Sequence, residues 1–169
     1  MGILLKMLQK TLVLIKPDGV ARSLIGEIIK RFENTGLKIV GLKMVSVDKD
    51  FAKQHYTEEL AKRRGNNVRN YMVDFITSGP VVAIALNGVN AIDNVRKLVG
   101  ETEPKSAMPG TIRGDFTHVS YQYCDSKKIG VKNVIHASAN EKDAKLELSL
   151  WFNASEIYDY KNVHDEYVL

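Results

Sequence analysis

A histidine, a serine and a glutamate in the last third of the chain have types and spacing that could do chemistry. His136 and Ser138 lie just before a predicted helix, and Glu147 lies on that helix beside residues that we expect to face the core. A carboxylate buried there needs a hydrogen-bond donor. If Glu147 points inward, it can hold one ring nitrogen of His136 and leave the other with a free lone pair, which a histidine nucleophile requires.

Two other interpretations of these residues are considered. Glu147 could face solvent, with His136 as a polar residue at the edge of a sheet, and the sequence alone leaves this alternative open. Ser138 and His136 could instead form a hydrolase dyad. This is disfavoured because residues two apart on a turn rarely meet in attack geometry and no nucleophile-elbow glycines flank the serine.

A second set of residues could bind phosphate. Lys16, Arg96, Thr102 and Arg113 all lie near the ends of predicted elements, where loops converge to build sites. An arginine offers a planar fork to phosphate oxygens and a lysine offers a point charge, so three cations and a hydroxyl suit a polyphosphate. Taken singly, each of these residues is also compatible with an ordinary surface position.

Other sites are excluded or weak. The chain has no G-x-x-x-x-G-K-[ST] phosphate loop and no G-x-G-x-x-G dinucleotide motif. His118 and Cys124 fall on one face of a predicted strand, but a metal needs more than two ligands. His55 and His164 have no sequence neighbours that argue for chemistry.

Length and composition predict one domain with a hydrophobic core, since the chain has 169 residues of which 44% are hydrophobic. A single cysteine and the lack of an apolar run long enough to span a bilayer predict a cytoplasmic protein without a membrane segment. The net charge of +4 is dispersed, so we do not expect nucleic acid as a partner.

The hydrophobic pattern predicts alternating strands and helices. Strands are predicted at residues 11–16, 37–47 and 81–86, with a helical connection at 50–77 that the sequence RRGNN interrupts. Further helices are predicted from an N-cap at Ser23 to Gly36, from an N-cap at Asn90 to Gly100, and over 140–152. Alternation of Val119, Tyr121 and Tyr123 predicts another strand, with 131–135 as its hairpin partner.

This order predicts an α+β fold of the ferredoxin-like, split βαβ type, in which helices pack on one face of a mainly antiparallel sheet. A doubly wound parallel sheet is the alternative. We expect residues 1–169 to form one domain, with a short N-terminal extension at 1–10 and a C-terminal arm at about 153–169 that lies on this or another subunit.

Nearly the whole chain resembles the nucleoside diphosphate kinase family. The resemblance rests on IKPDGV with GEIIKRFE, on HY at positions 55–56, on SGPVVA, GETEP and PGTIRGDF, and on NVIHASA with Glu147 and LWF. It implies the ferredoxin-like fold and transfer of the γ-phosphate of a nucleoside triphosphate to a nucleoside diphosphate through a phosphohistidine. It also implies Mg²⁺ on the nucleotide phosphates, no metal held by the chain itself, and a homo-oligomer, with a hexamer favoured over a tetramer.

The resemblance also assigns roles to residues that match the family's motifs. His136 would be the phosphorylated nucleophile and Glu147 and Ser138 its orienting partners. Lys16 would contact the phosphates and the ribose, Tyr56 would lie beside the phosphoryl path, and Asn133 would bind the ribose. The phosphates would be held by Arg96, Thr102 and Arg113.

The chain departs from the family in two regions. Val68 occupies the place of the phenylalanine that stacks on the base, with Tyr71 close by, so the base-stacking residue is open between the two. Residues 117–132 form an insertion of about the length of a hairpin. The rival functions are an RNA-binding domain, which lacks its aromatic recognition strand here, and a carrier that accepts phosphate from a protein.

Overall fold

The structure, a computed structural model, describes residues 7–127 and 129–167. Among these residues, none forms a helix with both the length and the apolar character needed to span a bilayer. The strands are β1 (Leu8–Ile15), β2 (Lys38–Val45), β3 (Val81–Val89) and β4 (Ile135–Ala137). The helices are α1 (Pro17–Ala21), α2 (Ile25–Glu33), α3 (Lys49–His55), α4 (Glu58–Arg64), α5 (Asn66–Ile76), α6 (Ala91–Val99), α7 (Ile112–Phe116), α8 (Tyr121–Ser126), α9 (Glu141–Trp151) and α10 (His164–Tyr167).

The four strands form one sheet in the order β2-β3-β1-β4, and every neighbouring pair is antiparallel. The two central strands, β1 and β3, pair along their whole length. β2 returns to the far side of β3, and β4 returns to the far side of β1, so each crossover skips one strand. The predicted α+β, split βαβ fold is thus confirmed, and the parallel alternative is wrong.

Helices cover both faces of the sheet, whereas the sequence predicted helices on one face only. Val13 and Ile15 of β1 pack into a core with α2 and α6, and Leu12 and Leu14 pack into a second core with α3, α5 and α9. Alternate residues of a strand point to opposite faces. A strand segment covered on both faces is therefore apolar throughout, as observed at residues 12–15 of β1 and 81–86 of β3.

The predicted helix starts at Ser23 and Asn90 are not side-chain caps. Both residues adopt left-handed backbone, with φ of 57° and 48° respectively. Ser23 lies one residue outside the N-cap of α2, and the Asn90 side chain makes no capping hydrogen bond with α6. The helices themselves form as predicted because their apolar faces pack on the sheet, which outweighs the contribution of a cap.

The predicted hairpin is not observed among residues 117–127 and 129–132, which are the described part of this segment. Tyr121 to Ser126 form helix α8, because the Ser120 side chain accepts a hydrogen bond from the Tyr123 amide and Glu103 accepts one from the Tyr121 amide. Of the predicted partner strand at 131–135, only Ile135 lies in β4, and β4 pairs with β1 instead.

The residues after α9 run along the edge strand β2. The Tyr158 amide donates to the Val40 carbonyl at 2.7 Å, and the Lys38 ammonium contacts Asp165 at 2.8 Å. This segment of the C-terminal arm therefore lies on its own chain.

Candidate active site

Strand β4 places His136 at the edge of the sheet. His136 is opposite Leu14 in the register of β1, and its backbone neighbour Ile135 is fully buried. The His136 side chain is 23% exposed and lines a cleft of about 1710 Å³. The short strand β4 pairs with the central strand β1, and this pairing positions the His136 imidazole at the solvent-accessible cleft.

Glu147 points inward and holds His136. Both of its carboxylate oxygens lie 3.0 Å from Nε2 of His136, and its side chain is 17% exposed. The buried Ser138 hydroxyl donates to Glu147 Oε2 at 2.6 Å. Burial alone would raise the pKa of Glu147, but His136 and these hydrogen bonds lower it to about 2. The carboxylate is therefore ionised and accepts from Nε2–H of the imidazole.

This arrangement is incompatible with two of the three interpretations of the sequence. Because Nε2 carries the proton shared with Glu147, Nδ1 of a neutral His136 keeps its lone pair. Within the described ranges, nothing donates a hydrogen bond to Nδ1. The Ser138 hydroxyl bonds Glu147 and not His136, so a serine-histidine dyad does not form, and the solvent-facing alternative for Glu147 is wrong.

Lys16 lies beside this pair, immediately after β1. Its side chain is buried, and its ammonium donates to Asn133 Oδ1 at 2.7 Å. The Asn133 amide in turn donates to the Thr102 carbonyl at 2.8 Å. Burial, and then the charge of Arg113, lower the pKa of Lys16 to about 7. Hydrogen bonds therefore join Lys16, Asn133 and Thr102, three predicted site residues that line the cleft.

Two glycines allow the backbone to come close at this point. Gly19 of α1 lies against Ile15 and the Val134 carbonyl, where a Cβ would be only 3.0 Å from that oxygen. Gly100 ends α6 with a φ of +84°, a conformation that suits glycine. The Gly100 carbonyl accepts from Arg113 at 2.9 Å, so this turn also orients a cation of the site.

Arg113 and Arg96 give the cleft a positive end. Arg113 is largely buried, and its second terminal nitrogen donates to the Ile135 carbonyl at 2.8 Å. Burial lowers the pKa of Arg113 to about 10, and its Nε has no partner among the described residues. Arg96 is exposed in the last turn of α6. Guanidinium groups held in this way can bind an anion through unused donors.

Val68 and Tyr71, the two candidates for contact with a base, also line the cleft. Val68, at the start of α5, is 39% exposed and lines the cleft. Tyr71 stacks on Phe75 at 5.9 Å between ring centroids, and Gly130 lies so close to the Tyr71 ring that a Cβ would overlap it. Tyr71 therefore supports the inserted segment, and Val68 is the freer of the two candidates for contact with a base.

The cleft brings together all but one of the residues predicted from sequence. Ser138 is fully buried behind Glu147 and does not reach the cleft surface. Tyr56 is buried with its hydroxyl unpaired among the described residues, and burial raises its pKa. The lining residues among those predicted are Lys16, Tyr56, Val68, Arg96, Thr102, Arg113, Asn133, His136 and Glu147.

Sequence reasoning missed His55, which lies beside the proposed nucleophile. Its ring centroid is 4.7 Å from that of His136, with the two planes at 84°. Trp151 donates to Nδ1 of His55 at 3.2 Å, and burial lowers the pKa of His55 to about 3. The available signal was helical spacing, since His55 follows Phe51 and Ala52 by four and three residues and so shares their inward face.

Comparisons with known proteins agree with this geometry. The family model of nucleoside diphosphate kinase matches residues 9–157. A nucleoside diphosphate kinase of Borreliella burgdorferi is 50% identical over 156 residues, which cover 92% of this chain and 93% of that protein. One from Pyrococcus furiosus is 46% identical over 159 residues, covering 93% and 91%.

Solved structures show the same likeness. A transition state mimic of the nucleoside-diphosphate kinase from Borrelia burgdorferi, with bound vanadate and ADP, is similar with a TM-score of 0.92 and 48% identity, over 95% of this chain and 96% of that one. An NDP kinase from Pyrobaculum aerophilum has a TM-score of 0.84 and 36% identity over 90% and 100%. The chain thus belongs to the nucleoside diphosphate kinase family, as the motifs around His136 predicted.

Proposed function

We propose that His136 carries the phosphoryl group when this chain performs the reaction of its family, the transfer of the γ-phosphate of a nucleoside triphosphate to a nucleoside diphosphate. The observation that carries this proposal is the open Nδ1 of an imidazole whose Nε2 is held by both oxygens of Glu147. A nucleophile of this kind needs a fixed tautomer and a free lone pair facing the substrate.

The reaction consists of two mirrored steps. In the first, the Nδ1 lone pair attacks the γ-phosphorus and the bond to the bridging β-phosphate oxygen breaks, so the diphosphate leaves with that electron pair. The ring gains positive charge, which the ionised Glu147 stabilises through Nε2–H. In the second step, a terminal oxygen of another diphosphate attacks the phosphorus and the bond to Nδ1 breaks.

The remaining cleft residues would bind the nucleotide. Lys16 and Arg113, buried at the phosphate end, would offset charge on the transferring group, and exposed Arg96 and Thr102 would hold the outer phosphates. Asn133, together with Lys16, would bind the ribose. Tyr56 would lie beside the phosphoryl path, where its unpaired hydroxyl can find a partner.

The base would rest on Val68 at the wall of the cleft. Val68 is an exposed aliphatic side chain on the cleft wall, where burial against a base removes apolar area from water. An aliphatic side chain lacks the aromatic stacking that contributes about 1–3 kcal/mol per base, so affinity would rest mainly on the phosphates.

Mg²⁺ would be bound by the nucleotide and not by a protein site. It prefers oxygen ligands and keeps several of its waters. The phosphate end of the cleft offers ammonium and guanidinium groups, and both oxygens of Glu147 are already bonded to His136. When bound to the phosphates, the ion neutralises charge and sets their conformation.

We further propose a homo-oligomer, a hexamer in preference to a tetramer, in the cytoplasm, with residues 1–169 forming one domain. Support for oligomers comes from β2, an edge strand on which Leu42 and Met44 are 52% and 56% exposed. Cys124, the chain's single cysteine, is free, which suits a reducing compartment. Light scattering should give six times the 18.9 kDa of one chain, and cell fractionation should find the protein in the cytoplasm.

The experiment that tests the proposed function is labelling with γ-labelled ATP and Mg²⁺ in the absence of an acceptor. The protein should acquire a phosphoryl group that is labile in acid and stable in alkali, and ADP or another diphosphate should remove it. His136→Ala should abolish both labelling and transfer. Label on Ser138 or on another histidine would refute the proposal, and a label that only a protein can deliver or accept would favour the phosphocarrier.

A further inference from the structure

A row of aromatic rings leads from the second core to the proposed nucleophile. Phe51 meets Trp151 at 4.9 Å between centroids and 85° between planes, and Trp151 meets His55 at 5.6 Å and 89°. His55 then meets His136 at 4.7 Å and 84°. We call Phe51, Trp151 and His55 the aromatic row. Each ring packs edge to face on the next, an arrangement that restricts how each can tilt.

His136 requires such a restriction because Glu147 holds it through one atom only. Both carboxylate oxygens bond Nε2, which fixes where that nitrogen lies. The ring is also bonded through Cγ to Cβ, so it can still rotate about the line from Cβ to Nε2, and this rotation moves Nδ1. A misplacement of about 1 Å in a reacting group can reduce a rate by about 100-fold. Something other than Glu147 must therefore set the ring plane.

We propose that His55 is a positioning residue for the phosphorylation of His136, and that its edge-on packing sets the tilt of the His136 ring so that Nδ1 faces the phosphate end of the cleft. This inference rests on the proposed role of His136.

The hydrogen bond from Trp151 makes His55 suited to this role. Because the indole N–H donates to Nδ1, the single proton of a neutral His55 lies on Nε2. The only lone pair of the ring is thus occupied, so His55 cannot compete with His136 as a nucleophile. For the same reason, His55 is a poor metal ligand, although one of its nitrogens lies within 4.8 Å of donor atoms of His136 and Glu147.

His55 also stays uncharged beside the reacting ring. Burial and the neighbouring His136 and Lys16 lower the pKa of His55 to about 3, against the opposing effect of Glu147. A charged His55 would oppose the positive charge that develops on His136 during attack. The neutral ring packs against His136 without adding this repulsion.

Two substitutions separate the packing from the hydrogen bond. His55→Phe keeps a ring against His136 but cannot accept from Trp151, whereas His55→Gln keeps hydrogen-bonding atoms but has no ring. For each variant, quench-flow measures the rate of a single phosphorylation by Mg²⁺-ATP, calorimetry gives the Kd for ADP, and peptide mapping locates the label. We expect His55→Gln to phosphorylate about 10- to 100-fold more slowly, with a Kd within about twofold of the parent. His55→Phe should retain most of the parent rate.

Controls keep the result interpretable. His118→Phe and His118→Gln change a histidine that does not line the cleft, and both should react at the parent rate. Phe51→Leu loosens the far end of the row and should cause a smaller loss of rate with unchanged Kd, which provides a second reading if a His55 variant folds poorly. The inference is wrong if His55→Gln is phosphorylated at the parent rate. It is also wrong if His55→Gln is phosphorylated faster than His55→Phe. Label away from His136 in the parent would instead overturn the proposed function.

Discussion

Lys16 should take up a proton when the protein binds a nucleoside diphosphate at mildly alkaline pH. Its pKa is lowered from 10.5 to about 7 by burial and by Arg113. Since one pKa unit corresponds to about 1.4 kcal/mol, the buried ammonium is disfavoured by about 5 kcal/mol relative to water. At pH 8, one unit above this pKa, about nine-tenths of the free protein carries a neutral amine at this position.

A bound polyphosphate reverses this balance because it favours the ammonium form. Binding of ADP at pH 8 should therefore be coupled to uptake of about 0.9 proton, and the Kd should rise up to about tenfold per pH unit between 7.5 and 9. Isothermal titration calorimetry in buffers of different ionisation enthalpy measures the uptake directly. Above pH 7.5 the phosphates of ADP are already ionised, so they contribute little to this signal.

Lys16→Met is the control, because it removes the titrating group and keeps most of the side-chain volume. It should bind ADP more weakly with almost no proton uptake at pH 8. Equal uptake in parent and variant would assign the proton to another group, such as the α-amino terminus. No uptake in the parent would show that Lys16 is already charged in the free protein, which would refute the reasoning from burial.

Three further predictions follow from the site. The free energy of unfolding of the parent, relative to that of Lys16→Met, should rise with pH between about 7 and 10.5. The reason is that over this range the unfolded chain keeps the Lys16 proton and the folded chain does not. Urea titrations at several pH values that show no such rise would contradict this prediction. Glu147→Gln should slow phosphorylation by about 100-fold or more while the Kd for ADP stays nearly constant, as stopped-flow and calorimetry can measure, and a parent rate would refute the orienting role. Val68→Phe should tighten the binding of nucleoside diphosphates, purines most, as their dissociation constants can show. A large loss of affinity in Tyr71→Ala without any gain in Val68→Phe would identify Tyr71 as the base contact.

The sequence predicted the sheet well because the sheet depends on strong, local patterns. Continuous apolar runs predicted β1 and β3. The spacing of Glu147 among apolar residues left its direction open between the core and solvent, and the contact with His136 shows that it points inward. The cleft residues were found through the motifs and their places at the ends of elements.

The features that the sequence did not predict depend on contacts between residues that are distant in sequence. Val119, Tyr121 and Tyr123 alternate as in a strand, but Glu103, 18 residues away, caps the Tyr121 amide and helps to start a helix there. Helical spacing places His55 on the inward face of α3, but its partners are distant in sequence: α9 supplies Trp151 and β4 supplies His136. Local pattern carries no information about such partners.

The last strand of the sheet, β4, pairs with the first, β1. The two halves of the site are therefore synthesised at different times. Lys16 donates to Asn133 across 117 residues of sequence, and the Leu12 amide donates to Ser138 across 126. During synthesis the ribosome releases the lysine early and the histidine late. A nascent or nicked chain that lacks β4 and α9 has neither His136 nor Glu147 and therefore no nucleophile in place. The chain can therefore be phosphorylated only after β4 has paired with β1. Catalytic turnover thus indicates that all four strands of the sheet are in place.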